Sequence, residues 1–176
     1  MRITSGTMRG RKVNVPPIKG VRPTSSRVRE ALFNIMGNIE GQRGLDLFSG
    51  SGIVAIEALS RGVASMVSVE SNANVCCHLH DIARRLQLLK RWDIQHQTLP
   101  KALDAWQGQR FDFIFADPPY GQNFPEKIFS WLSIHQITTP LLIVEESNQT
   151  MINFPPSWQV TTRKYGHTCL NLCHPI

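Results

Sequence analysis

Apolar residues in this chain follow two rhythms. Short continuous runs at Gly44 to Phe48, Ser65 to Val69, Phe111 to Ala116 and Leu141 to Val144, with a weaker one at Asp93 to Gln97, predict buried strands. Between them, apolar positions recur every three or four residues. Gly52 to Arg61 carries Ile53, Ile56 and Leu59 and stops at Gly62, and Asn74 to Leu88 carries Val75, Leu79, Ile82 and Leu86. That is the spacing of helices with one buried stripe. Pro100 to Trp106 and Phe124 to Leu132 predict two more helices. Strands that alternate with helices demand a parallel, doubly wound, Rossmann-like α/β sheet, with ligand loops at the carboxyl ends of the strands. After Pro155-Pro156, Trp158 to Arg163 and Thr168 to Leu172 meet around Tyr165-Gly166 and predict a closing antiparallel hairpin.

Ahead of this core, Arg2 to Ser5 and Arg11 to Val15 flank Gly6 to Gly10 as a small hairpin. Thr24-Ser25-Ser26 then opens a helix with Val28, Leu32, Ile35 and Met36 on one face and Ser25 or Ser26 as its cap. The chain of 176 residues, 41% hydrophobic, suits one domain, read here as an N-terminal extension over 1–38 and a core over 39–176.

Charge changes the picture of the extension. The net charge is +6 with pI ≈ 9.5, and residues 1 to 30 hold eight of the 19 Lys and Arg, with Glu30 their only acid. Such a balance favours an acidic partner. Gly6, Gly10, Pro16, Pro17, Gly20 and Pro23 break any long amphipathic helix, so a targeting peptide is not expected, and no apolar run is long enough to span a membrane. Arg9, Arg11, Lys12, Arg22, Thr24, Arg27 and Arg29 are candidate phosphate contacts.

The four cysteines, Cys76, Cys77, Cys169 and Cys173, do not form a disulfide framework by spacing. His167, Cys169, Cys173 and His174 sit on an alternating segment, where positions four apart lie about 13 Å from one another, too far to share one metal ion. Free thiols in a reducing cytoplasm and no metal are the expectation.

Two stretches carry candidate chemistry. The first predicted strand leads into Asp46-Leu47-Phe48-Ser49-Gly50-Ser51-Gly52-Ile53-Val54-Ala55, a glycine loop opening a helix. Glu70, at the end of the second strand, is positioned to accept from both hydroxyls of a ribose. A dinucleotide and S-adenosylmethionine share this pattern, and Asp46 separates them. An acid at the mouth of the loop repels a pyrophosphate but suits the cationic amino group of a methionine moiety. Phe48, Ser49, Gly50, Ser51, Gly52 and Gln97 complete the candidate cofactor set.

The other stretch is Asp117-Pro118-Pro119-Tyr120, at the end of the run from Phe111. Each proline locks φ and lacks an N–H, which frees the Asp117 and Pro118 carbonyls to accept from a ligand's NH2 group, and Tyr120 offers a face for stacking. A base amine is a poor nucleophile. Two acceptors gripping its N–H bonds align it with an electrophile and stabilise the charge it develops. On a doubly wound sheet the first and fourth strands end side by side, so the loop and this motif would share one site.

Arg22-Pro23-Thr24-Ser25-Ser26-Arg27-Val28-Arg29-Glu30-Ala31-Leu32-Phe33-Asn34, Leu45 to Gly52, Glu57-Ala58-Leu59-Ser60-Arg61-Gly62, Asp117 to Tyr120 and Lys164-Tyr165-Gly166 resemble the RsmD-type bacterial 16S ribosomal RNA (guanine-N2)-methyltransferases. The resemblance spans almost the whole chain. It implies a class I S-adenosylmethionine-dependent methyltransferase of the cytoplasm, acting on guanine N2 of 16S rRNA within an assembled small ribosomal subunit. Two departures stand out: Gln95-His96-Gln97-Thr98 where such families carry an acid, and His167 after Gly166 where an acid is common. Other readings stay open: adenine-N6 methylation of DNA, methylation of protein, a catalytically silent RNA-binding assembly factor, and last a dinucleotide oxidoreductase.

Overall fold

The structure, a computed structural model, describes residues 1–14 and 24–176. Seven strands form one sheet: β1 (Arg43–Asp46), β2 (Ser65–Glu70), β3 (Trp92–His96), β4 (Phe113–Ala116), β5 (Leu142–Ser147), β6 (Trp158–Tyr165) and β7 (Thr168–Pro175). Their order is β3-β2-β1-β4-β5-β7-β6, with β1 to β5 parallel and β7 antiparallel to both β5 and β6. This is the class I methyltransferase sheet. The order reverses between β1 and β4, and parallel neighbours diverge into loops on either side of such a switch point.

Helices α1 (Ser26–Met36), α2 (Ile53–Ser60), α3 (Ala73–Arg85) and α4 (Phe124–Ile134) connect or cover the strands. Lys101–Trp106 forms a 3-10 turn rather than a full α-helix. Alternation along the strands sorts the core into two layers. Met66, Phe113, Phe115, Ile143 and Leu170 face α1, α2 and α3. Val67, Val69, Ile114, Ala116, Leu142 and Val144 face the 3-10 turn and α4. Because β7 lies between β5 and β6, Cys169, Asn171 and Cys173 are buried like their Leu neighbours.

Residues 1–14 form the expected hairpin, reduced to a single antiparallel bridge between Arg2 and Lys12. It is pressed onto α2. Fully buried Glu57 accepts from the Thr4 hydroxyl at 2.6 Å and from the Thr4 and Ser5 amides at 2.9 Å, and pairs with Arg61 at 3.2 Å. Ser60 donates to the Ser5 carbonyl and accepts from the Met8 amide. Gly6, at φ +78, leaves no room for a side chain: a Cβ would lie 1.9 Å from the Ser60 carbonyl oxygen. In α1 the cap is Ser25, whose side chain accepts from the Val28 amide. The buried face is Val28, Arg29, Leu32 and Phe33, so Ile35 of the predicted stripe turns out to be exposed.

Candidate active site

β1 ends at Asp46 and its parallel neighbour β4 at Ala116, and the turns leaving them line one cleft of about 990 Å3. On one wall the loop after β1 folds back on itself, the Gly52 amide donating to the Ser49 carbonyl at 2.8 Å. The Gly50 amide donates to the Glu70 carboxylate at 2.9 Å, and the Asn72 amide donates to its other oxygen at 2.8 Å. A carboxylate has about four lone-pair sites, so Glu70 keeps acceptor capacity for ligand hydroxyls. Phe48, Gln97 and Thr98 continue this wall, and Phe48 packs edge-on against Phe124.

Asp46 is the polar anomaly of this wall. It is 1% exposed; one oxygen accepts from the Ser49 hydroxyl at 3.1 Å and the other is buried with no partner. Burial pushes its carboxyl up to about 7, the Ser49 hydrogen bond opposes this, and the charge of Asp117 adds to it. A buried acceptor without a donor is costly, so a site of this kind is built for a group that supplies one.

Gly52 corrects an expectation. The residue is left-handed at φ +70, and a Cβ there would lie 2.5 Å from Leu79 and 2.9 Å from Trp92. It does not line the cleft; glycine is required because α3 and β3 pack behind the loop, not because a ligand approaches.

On the opposite wall, Asp117 leaves β4, followed by buried Pro118 and exposed Pro119 and Tyr120. The Tyr120 hydroxyl lies 3.3 Å from that of Thr168. Burial raises the Asp117 carboxyl to about 7; Glu146 adds to this and a hydrogen bond from Thr24 opposes it. Thr24, expected among the RNA contacts, is thus a buried cleft residue beside Asp117. Beyond Val144, Glu145 enters the cleft wall and is itself raised to about 8, by burial first and then by Asp117. In the sequence Glu145 is hidden by the apolar run stopping at Val144; two adjacent acids at the carboxyl end of a buried strand are the available signal.

Among the predicted RNA contacts, Arg9, Arg11, Lys12 and Arg27 are exposed, and Arg22 lies outside the described residues. Arg29 is withdrawn from that set. It is 2% exposed, donates to the Thr24 and Arg2 carbonyls at 2.8 and 2.9 Å, and lies 4.0 Å from Glu57. Its two terminal nitrogens serve the fold. Among the described residues, no group of three or more His, Cys, Asp or Glu is arranged to hold a metal ion, and no helix is long and apolar enough to cross a membrane.

A glycine loop after β1, an acid ending β2 and an Asp-Pro-Pro-Tyr turn after β4, on a sheet of this order, define a class I methyltransferase. The comparisons agree with that class and make it specific. The chain belongs to the family described as conserved hypothetical protein 95, whose model matches residues 1–174. Ribosomal RNA small subunit methyltransferase D of Haemophilus influenzae is 34% identical, the match covering 93% of this chain and 88% of that protein. The solved structure of yhhF from Escherichia coli superposes with a TM-score of 0.85 at 30% identity, covering 99% of this chain and 97% of that one. An RNA methyltransferase from Salinibacter ruber, solved with S-adenosyl-L-homocysteine, shares the fold at TM-score 0.67 and 17% identity, over 88% and 94% of the two chains.

Proposed function

We propose that this chain transfers the methyl group of S-adenosylmethionine to the exocyclic N2 of a guanine in small-subunit (16S) ribosomal RNA, on an assembled subunit in the cytoplasm. The observation that carries this reading is the sharing of one cleft by the Asp46 to Ser51 loop and the Asp117 to Tyr120 turn. The unpartnered oxygen of Asp46 fits an ammonium group, and Glu70 fits ribose hydroxyls. When bound, the sulfonium supplies an activated methyl group.

This chain's residues prepare the amine. The Asp117 and Pro118 carbonyls accept from its two N–H bonds and hold the nitrogen in line, while Tyr120 stacks on the base. As the amine takes the methyl group, its proton would leave to the Asp117 carboxylate or to water. Exposed Arg9, Arg11, Lys12 and Arg27 stand ready to contact phosphates.

The test uses methyl-labelled S-adenosylmethionine with naked 16S rRNA or with small subunits lacking the modification, followed by digestion to nucleosides. Label in N2-methylguanosine, strongest from the subunits, is the expected result. Label in N6-methyladenosine, in protein, or nowhere overturns the proposal.

A further inference from the structure

The wall that faces the target carries more acid than methyl transfer requires. Ala116 of β4 is in register with Val144 of β5, so the next residues, Asp117 and Glu145, leave the paired ends of two adjacent parallel strands side by side. By alternation both share the face of Phe115 and Ile143, the side of α1 and of Thr24. Glu146 follows, binding the Ser147 amide at 2.7 Å.

Glu145 is 4% exposed and lines the cleft. Its Oε2 is buried with no partner, and among the described residues no Lys, Arg or His pairs with Glu145. A buried acid kept for the fold is hydrogen-bonded or paired, as Glu57 is here. Among the described residues Glu145 is neither, although its neighbour in the cleft is another acid. Its unused acceptor is therefore directed at something that enters the cleft carrying a donor.

On the reading given above, what enters is a guanine with its N2 amine held at Asp117. The ring atom next to the carbon bearing that amine is N1, and in guanine it carries a hydrogen. We propose that Glu145 accepts a hydrogen bond from the guanine N1–H and is the residue that restricts this enzyme to guanine. Adenine presents its amine beside a ring nitrogen with a lone pair. Placed with that amine at Asp117, it sets lone pair against carboxylate and leaves both unpaired. A site built around a donor rejects an analogue lacking it far more strongly than a merely apolar pocket could. Burial and the charge of Asp117 raise the Glu145 carboxyl in the protein alone, and an N1–H donor favours its ionised form, so the bond forms as the proton leaves.

The experiment requires a target that keeps the N2 amine but loses the N1 hydrogen, which 2-aminopurine provides. Once the labelled guanine is mapped, small subunits are reconstituted with RNA carrying either guanine or 2-aminopurine at that position, and kcat/KM is measured for the wild type and for Glu145→Gln. Wild type is expected to prefer guanine by about 10- to 100-fold. Glutamine can donate to a bare N1 as well as accept, so in Glu145→Gln this ratio should fall at least tenfold, with affinity for S-adenosylhomocysteine unchanged. An unaltered ratio overturns the proposal whatever the absolute rates, because a purely structural acid would lower both substrates alike. Failure of wild type to label any guanine would instead remove the functional reading beneath it.

Discussion

The Thr4 hydroxyl donates to the fully buried Glu57 carboxylate at 2.6 Å, joining the first turn of the chain to the helix behind the cofactor loop. Glu57 also takes the Thr4 and Ser5 amides and the Arg61 guanidinium. Glu57→Ala therefore strands the buried Arg29, 4.0 Å away, together with the partly exposed Arg61 and several donors, and should cost about 3–5 kcal/mol. Urea unfolding of the two proteins checks this; a loss below 1 kcal/mol would show that the hairpin is only loosely held.

Asp117→Ala should lower kcat by about 10²- to 10³-fold, because it removes the carboxylate that takes the amine proton while leaving the backbone carbonyl that grips the amine. Affinity for S-adenosylhomocysteine should change little, because Asp117 belongs to the target wall. Asp117→Asn keeps a side-chain acceptor and should retain more activity than the alanine variant. Titration calorimetry beside single-turnover rates separates the cases, and equal loss of affinity and rate would move Asp117 to the cofactor wall.

Asp46→Asn should weaken S-adenosylmethionine binding by about 1.5–3 kcal/mol, the value of a hydrogen bond to a charged partner. The same substitution should stabilise the protein measured without cofactor at pH 8, since it removes a buried charge with an unpartnered oxygen. Binding isotherms and melting curves would show opposite signs; a drop in both would make Asp46 a structural acid.

Stability without cofactor should depend on pH in a defined direction. Asp46 and Asp117 are raised to about 7 and Glu145 to about 8, above their values in the unfolded chain. Between the unfolded values near 4 and the folded values, the folded state binds more protons, so stability falls as pH rises through that window. The acids face one another and Glu146, which raises Asp117, and no described cation pairs with them. Urea midpoints at pH 5.5 and 8.5 should be higher at the lower pH, and saturating S-adenosylmethionine should narrow the gap by pairing Asp46.

Arg9→Ala, Arg11→Ala and Lys12→Ala should each weaken RNA binding and flatten its salt dependence by roughly one unit of slope per lost phosphate contact. Arg29→Ala should instead lower the melting temperature, because its guanidinium binds two backbone carbonyls inside the fold. Binding measured across a salt series, with melting curves, distinguishes the two kinds of arginine.

The central strands could be read from sequence because β1, β2, β4 and β5 are buried on both faces while α3 is apolar on one, so period alone separated them; α2, whose spacing predicts one stripe, is buried on every side. The glycine loop and Asp-Pro-Pro-Tyr were legible for a different reason, being short stretches whose chemistry is local. What escaped depends on contacts between distant segments. Arg29 looks like a surface cation until Glu57 and the Thr24 and Arg2 carbonyls surround it. Glu145 looks like the residue that ends a strand, yet β5 continues through Ser147 because it pairs with β7 as far as Thr168, and alternation turns the Glu145 side chain to the face of Phe115. Phe33 was missed in favour of Ile35, since only the docked hairpin and Arg61, 4.6 Å over its ring, show which side of α1 is covered. Gly52, a member of the cofactor set by sequence, is held to glycine by Leu79 and Trp92 behind the loop, which no local pattern reveals.

Helix α2 has eight residues, a rod of about 12 Å. The loop that would cradle the methyl donor springs from one end, and Glu57 and Ser60 grip the basic hairpin near the other. The N-terminal extension is therefore no detachable cassette. Exchanging it for another recognition segment to retarget the enzyme would also require rebuilding the foundation of the donor pocket.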